Sequence, residues 1–150
     1  MSENTNEIAV IDVAPANLGQ EISQLGAGQM DMFSTIKADD FAGKLATLKA
    51  VSDSAPISEN LNKVIKVRNL IIQKADMADE KTGEVKAQPR VILVDEDGKA
   101  FHAISNPLYR DVKNILMLLG HPETWEAAVP VKVSKAGSGT SQYFTLKLAV

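Results

Sequence analysis

The sequence predicts a mainly β protein with two helices, and three observations lead to this prediction. Five short runs of apolar residues have the length and the flanking turns of strands. A helical apolar pattern lies between the third and the fourth of these runs. The resulting order is strand, strand, strand, helix, strand, strand, which is that of the OB-fold, a five-stranded Greek-key barrel. We therefore expect a single OB-fold domain over residues 30–150, with an additional N-terminal helix near 39–53.

Residues 1–29 precede this domain and differ from it in composition. They are rich in Asn, Gln, Ser, Gly and Glu, and they show little periodicity. Charge is also unevenly distributed, although the net charge is only −3. Residues 1–59 contain three Lys and nine Asp or Glu, whereas residues 60–150 contain thirteen Lys or Arg and ten Asp or Glu. We expect a flexible or loosely docked acidic leader before a mildly basic barrel.

The N-terminal helix is predicted from a cap and an apolar stripe. Asp39 or Asp40 supplies the side-chain oxygen that a helix N-cap requires. Pro56 follows closely and limits the C-terminal end. The residues expected to form the buried stripe recur at i, i+4 and i+7: Phe41, Leu45 and Leu48.

Three strands are predicted next: Lys63–Gln73, Arg90–Val94 and Ala100–Ser105. The first is expected to bend, because its apolar pattern changes phase after Asn69. The polar stretch Lys74–Pro89 is expected to be a loop. The acidic, Gly-containing turn Asp95–Gly98 predicts a hairpin between the second and third strands.

A second helix and two more strands complete the predicted domain. Asn106 is expected to cap the helix, Pro107 suits its first turn, and Gly120 ends it. The predicted buried stripe consists of Leu108, Val112, Ile115, Leu116 and Leu119. The last two strands are Val129–Ser134 and Gln142–Val150, in which apolar and polar residues alternate.

The motifs of enzymes are missing from the sequence. It contains no phosphate-binding loop, no dinucleotide fingerprint and no nucleophile elbow. The absence of Cys excludes disulfides and thiolate zinc sites, and the acidic turn Asp95–Asp97 lacks the spacing of a calcium loop. No apolar run approaches the roughly 20 residues of a membrane span. We expect a protein that is not an enzyme, with no catalytic residue, no metal, no cofactor and no membrane contact.

The polar faces of the predicted strands instead gather cationic and flat side chains. Single-stranded nucleic acid is bound by a cationic groove for phosphates and by flat side chains on which bases stack. The residues predicted to bind DNA are Lys66, Arg68, Arg90, His102, Lys132, Lys135, Tyr143 and Lys147. Tyr143 is the candidate for base stacking, and the alternative is a tyrosine at the barrel rim with a hydrated hydroxyl. Two loops, 75–88 and 135–142, are expected to form the walls of the groove.

Three stretches of the sequence carry a pattern that is more specific than the order of the elements. They are ISENLNKVIKVRNLIIQ, then DEKTGEVKAQPRVILVDEDGKAFHAISNPLYRDVKNILMLLGHPETW, and finally PVKVSKAGSGTSQYFTLKLAV. The most specific part is an acidic turn with Gly before an aromatic strand, followed by Ser105 and by a helix that ends in Gly-x-Pro. On these stretches, residues 57–150 resemble phage-encoded single-stranded DNA-binding proteins of small tailed phages.

The resemblance implies a protein that coats and protects single strands during phage DNA replication, in the cytoplasm of the host cell. Its implied partners are single-stranded DNA and, in addition, replication proteins or further copies of the chain. The alternative is a structural or adaptor OB protein that binds another protein in phage assembly. The resemblance does not explain residues 1–56. Bacterial single-stranded DNA-binding proteins recruit partners through an acidic C-terminal tail, whereas this sequence ends in a predicted strand.

Overall fold

The computed structural model of the chain describes residues 32–139 and 142–150. The predicted acidic leader, residues 1–29, lies outside the described residues. In chain order the elements are β1 (Met32–Ser34), α1 (Phe41–Ser52), β2 (Ala55–Pro56), β3 (Ile65–Ala78), β4 (Val85–Asp95), β5 (Ala100–Ile104), α2 (Asn106–Leu119), β6 (Val129–Ala136) and β7 (Tyr143–Leu148). Two single 3₁₀ turns, Ile57–Glu59 and Pro122–Thr124, lie before β3 and after α2.

The described strands form one mixed sheet around β3. The strand order is β2-β5-β4-β3-β6-β7, and β1 also pairs with β3. All pairings are antiparallel except that of β2 with β5. The sheet curls into a half-barrel, which is consistent with an OB-like fold. The mainly β architecture with two helices is therefore confirmed, and the five predicted strands correspond to β3, β4, β5, β6 and β7.

Strand β3 bends where the sequence predicted that it would. The pairing of β3 with β4 shifts register between Val67 and Asn69. Before this bulge, Ile65 and Val67 point into the core, and after it Leu70 and Ile72 do so. The bulge lets one long strand pair with β6 through its first half and with β1 through its second half.

A buried threonine holds the bend in place. The Thr35 hydroxyl accepts a hydrogen bond from the Leu70 backbone N–H at 2.8 Å and donates one to Asn69 Oδ1 at 2.9 Å. The Thr35 backbone N–H donates to the Leu70 carbonyl at 3.0 Å. Thr35 is 3% exposed, so each of these polar groups needs its partner.

The stretch predicted as the loop Lys74–Pro89 is instead a hairpin arm. The ladder of β3 and β4 continues from the Lys74–Pro89 pair to the Ala78–Val85 pair. Asp79 forms the turn, because its Oδ1 accepts the backbone N–H groups of Lys81 and Thr82. The prediction was wrong because nearly all side chains of this arm are exposed on both faces, so no apolar alternation marks the strands.

The inner face of the sheet packs against α2. Leu108, Val112 and Leu116 of α2 are fully buried in the same cluster as the inward side chains of the sheet. Those side chains are Ile65, Val67, Leu70, Ile72, Val91, Leu93, Phe101, Ala103, Val131 and Val133. This part of the predicted α2 stripe is confirmed, and Ile115 is partly buried against the cluster.

Two details of α2 differ from the prediction. Ser105 caps the helix in place of Asn106, because its extended backbone allows Oγ to accept the Leu108 N–H at 3.2 Å. Asn106 already belongs to the first turn. Leu119 is exposed rather than buried, since the last turn of α2 extends beyond the sheet. Gly120 ends the helix as predicted, with a φ of 80° that favours glycine.

Helix α1 covers the outer face of the sheet, but not with the side that the sequence predicted. Asp40 is the N-cap and accepts the Gly43 N–H at 2.8 Å, which confirms one of the two predicted caps. The residues that α1 buries are Thr47 and Ala50. Ala50 packs in a second apolar cluster with Ile71, Ile92, Val94 and Ala100.

The predicted stripe of α1 lies in solvent. Phe41 is 75% exposed, Leu45 48% and Leu48 61%. The prediction was wrong because α1 approaches its neighbours closely, and a close approach requires small residues on the packed side. A Cβ on Gly43 would overlap the Lys37 carbonyl oxygen. Neither α1, α2 nor any other helix among the described residues is long and apolar enough to cross a membrane.

The Gly43→Ala variant is expected to lower stability. In an exposed helix, Ala is favoured over Gly by about 1 kcal/mol. Here the added methyl group overlaps the Lys37 carbonyl, and overpacking of this kind costs about 1–3 kcal/mol. Denaturant unfolding measures the difference. The control is Lys49→Ala at an exposed position of the same helix, where the change to Ala removes side-chain atoms and therefore creates no overlap. A Gly43→Ala variant that is more stable than the parent would contradict the close approach.

Candidate nucleic-acid interface

Three lysines lie side by side on the outer face of three adjacent strands. Lys132 of β6 and Lys147 of β7 are directly opposite each other in the ladder. Lys66 of β3 is opposite Pro130, which lies two residues before Lys132 and therefore on the same face. All three side chains are exposed, and we call them the lysine row.

The positive charge of the lysine row is poorly compensated. Lys66 Nζ lies 3.8 Å from Glu96 Oε1, in an exposed pair that contributes little to stability. Among the residues that the structure describes, no carboxylate lies within ion-pair distance of Lys132 or Lys147. Like charges directly opposite in a ladder destabilise the sheet. An anion bound at this position would relieve that repulsion.

The same outer face continues along the β6–β7 hairpin to Tyr143. Beyond the lysine pair, the hydroxyls of Ser134 and Thr145 are 3.2 Å apart on opposite strands. Tyr143 precedes Thr145 by two residues on β7 and therefore lies on the same face. It is opposite Ala136 and is 45% exposed. From Lys132 to Ala136 the strand spans about 13 Å. The lysine row, the two hydroxyls and Tyr143 thus form one exposed strip, which we call the outer strip.

Lys135 lies on the other side of this hairpin. It is opposite Phe144, and its Nζ lies 5.8 Å from the centre of the Phe144 ring. Phe144 packs against the core, so Lys135 belongs to the inward-facing rim of the hairpin. Lys135 is therefore exposed and close to Tyr143 in the hairpin ladder, but it is not part of the outer strip.

Arg90 and His102 also lie on the outer face, but they are bound to the end of α1. Arg90 Nη1 donates to Gln73 Oε1 at 2.7 Å and to the Val51 carbonyl at 3.3 Å. Arg90 Nη2 donates to Ser54 Oγ at 3.2 Å, and Ser54 Oγ lies 2.7 Å from His102 Nδ1. These hydrogen bonds connect α1 to β3, β4 and β5. We call this set the Arg90 network.

Burial changes the ionisation of the two basic groups in the Arg90 network. It lowers the pKa of Arg90, although a guanidinium stays charged at any ordinary pH. Burial and the nearby positive charge of Arg90 lower the pKa of His102, and a hydrogen bond that its ring donates to the Ser54 backbone only partly offsets this. His102 is therefore mainly neutral at pH 7 and offers an aromatic ring rather than a charge.

Arg68 forms its side-chain hydrogen bond away from both the outer strip and the Arg90 network. Its Nη1 donates to the Pro122 carbonyl at 2.7 Å, so it connects the bulge of β3 to the turn after α2. Arg90 is opposite Gln73, which follows Lys66 by seven residues along β3, or about 20 Å. The structure therefore brings together four of the eight predicted residues: Lys66, Lys132, Tyr143 and Lys147. Arg68, Arg90, His102 and Lys135 lie apart from them.

The polar residues between these groups were not predicted from the sequence. Ser134 and Thr145 could have been found, because they lie at i±2 from Lys132 and Lys147 on predicted strands. Ser54 left no signal, because it follows α1 in irregular backbone and its partners come from distant strands. No group of three His, Asp or Glu side chains within residues 32–139 and 142–150 is placed to hold a metal ion.

His102 is expected to make the protein less stable in mild acid. Its pKa is lowered in the folded state from the ordinary value of 6.5, so the unfolded chain takes up the proton first as the pH falls. The stability that neutral His102 contributes is complete above pH 6.5 and is lost as the pH falls toward the lowered value. Thermal unfolding between pH 7.5 and 5.5 should show a smaller decrease for His102→Asn than for the parent.

Proton NMR titration checks the cause of that decrease. The chain contains only two histidines, so a His121→Asn variant assigns the remaining imidazole signal to His102. A midpoint of 6.5 or higher for His102 would contradict the desolvated position in the Arg90 network.

Comparison with known protein families identifies the domain. A family model described as phage single-stranded DNA-binding protein matches residues 27–149. Comparisons with curated proteins and with solved structures gave no match. The family match covers nearly all of the described residues, including the outer strip, and it agrees with the half-barrel that the strands form. The chain therefore belongs to the phage single-stranded DNA-binding protein family.

Proposed function

We propose that this protein coats and protects single-stranded DNA during phage DNA replication in the host cytoplasm, without catalysing a reaction, and that DNA lies along the outer strip. The observation that carries the proposal is the lysine row, which continues into Tyr143 on one exposed face of a chain from this family. A cationic path with an adjacent aromatic ring is the arrangement that binds single strands with little sequence preference.

Phosphates supply the negative charge that the lysine row lacks. Lys132 and Lys147 repel each other across the ladder, and a phosphate between them removes that repulsion. Each phosphate that a lysine neutralises also releases condensed counterions from the DNA, which favours binding at low salt. Lys66 extends the path to β3.

Tyr143 gives the strip a place for a base. Its ring is partly exposed at the beginning of β7, beyond the two hydroxyls. Stacking of a base on such a ring contributes about 1–3 kcal/mol. Ser134 and Thr145 lie between the charges and the ring, where they donate hydrogen bonds to the sugar–phosphate backbone.

The remaining predicted residues support this path in other ways. Arg90 and His102 hold α1 over the outer face of β4 and β5, which confines the DNA to β3, β6 and β7. Arg68 fixes the bulge that orients Lys66. Lys135 contacts phosphate at the end of the hairpin, after leaving the Phe144 ring.

The proposed barrel is the Greek-key OB-fold. Its five strands are β3 to β7, and α2 connects the third of them to the fourth. Helix α2 packs against both β4 and β7, so it fills the opening of the half-barrel. Asp111 of α2 supports this arrangement, because its Oδ2 accepts the Leu146 N–H on the outer edge of β7 at 3.1 Å.

Titration of labelled oligo-dT by fluorescence anisotropy at several salt concentrations tests the proposal. The negative slope of log affinity against log salt should become shallower by about 0.7 in each of the variants Lys132→Gln and Lys147→Gln. Tyr143→Ala should lose about 1–3 kcal/mol of binding free energy at every salt concentration, with an unchanged slope. The two kinds of contact are therefore separated in one experiment.

Lys113→Gln on α2 is the matched control, since its Nζ lies over the Tyr109 ring and not on the outer strip. Its salt slope should equal that of the parent. If Lys132→Gln, Lys147→Gln and Lys113→Gln all make the salt slope equally shallower, the binding is a general charge effect and the outer strip is not the site. If the parent does not bind oligo-dT even at low salt, the alternative role in binding another protein is favoured.

A further inference from the structure

Helix α1 presents an apolar surface to solvent that nothing in the DNA-binding proposal uses. The surface consists of Phe41, Leu45 and Leu48, and we call it the α1 stripe. Lys44 and Lys49 flank it, are exposed, and form no ion pair with a described residue. Three large apolar side chains on one twelve-residue helix are more than scattered surface residues, and such a patch indicates a contact surface.

The sequence before β1 has the acidic charge and the apolar spacing expected of a segment that packs on the α1 stripe. Residues 1–31 lie outside the part of the chain that the structure describes, and they contain five Asp or Glu and no Lys or Arg. Three of their apolar residues, Leu18, Ile22 and Leu25, repeat the i, i+4, i+7 spacing of the α1 stripe. Glu21 lies among them. Residues 1–26 are also outside the family match, so this chain carries them in addition to the family domain.

This leader joins the described domain close to α1. Met32, the first described residue, is paired with Gln73 on β3. The Gln73 side chain accepts from Arg90, and Arg90 donates to the Val51 carbonyl in the last turn of α1. Leu25 precedes Met32 by seven residues, which span at most about 25 Å. Helix α1 is about 18 Å long, so the connection from Met32 to Leu25 can be longer than the helix that carries the stripe.

We propose that Leu18, Ile22 and Leu25 of the acidic leader cover the α1 stripe of the same chain. The acidic charge of the leader complements Lys44 and Lys49 at the borders of the stripe. A short connection gives the two surfaces a high effective concentration, so a small contact area is sufficient within one chain. The proposal concerns a surface remote from the outer strip, and it does not depend on DNA binding.

Disulfide trapping in the full chain tests this contact, because the natural sequence contains no Cys. The test variant carries Ile22→Cys and Leu45→Cys. The control carries Ile22→Cys and Leu118→Cys, since Leu118 is 85% exposed at the end of α2. Under mild oxidation the test pair should form an intramolecular disulfide about tenfold faster than the control pair, because contact raises the effective concentration. Non-reducing electrophoresis and peptide mapping measure both rates.

Charge complementarity is tested in the same assay. Adding Glu21→Lys to the test pair should slow its disulfide formation, and the effect should decrease as salt is added. Equal rates for the test and control pairs would overturn the proposal. Disulfide-linked dimers of a Leu45→Cys single variant, formed faster than those of a Leu118→Cys single variant, would also overturn it and would assign the stripe to a second copy. Because no DNA is present, failure here leaves the proposed function untouched.

Discussion

The bend of β3 is the constraint on which the rest of this structure depends. Every other part of the sheet is arranged around this strand, which pairs with β4 over most of its length, with β6 before the bulge and with β1 after it. The bulge is stable because Thr35 satisfies Asn69 and Leu70 from a buried position. Without the bend, one strand could not serve both halves of the half-barrel.

The bend also divides the outer face of the sheet into two regions with different roles. Beyond the bulge, Ile71 and Ile92 are covered by α1, and the Arg90 network connects the helix to the strands. Before the bulge, no element within residues 32–139 and 142–150 covers the outer face, which carries the lysine row. The covered region stabilises the fold, whereas the uncovered region retains the charge repulsion that a phosphate backbone would relieve. Among the described elements, α1 thus covers the outer face beyond the bulge and leaves the face with the lysine row open to a ligand.

The sequence was sufficient where burial and local hydrogen bonding agree. It predicted the bulge near Asn69, the cap at Asp40, the Asp95–Gly98 hairpin and the core side of α2. The sequence was misleading where tertiary contacts decide which side chains are buried. The apolar side of α1 is turned away from the sheet, and the helix packs through the small residues Thr47 and Ala50. Strand alternation predicted the lysine row and Tyr143, but the partners of Arg90 come from β3 and from the end of α1, two segments that no local pattern connects.

The central claim is that single-stranded DNA lies on the uncovered outer face. Lysine acetylation, quantified by mass spectrometry with and without saturating oligo-dT, tests it most directly. The account predicts that Lys66, Lys132 and Lys147 become protected by DNA, whereas Lys44 on α1 and Lys113 on α2 react as before. Protection of Lys44 and Lys113 with continued reaction of the lysine row would contradict it.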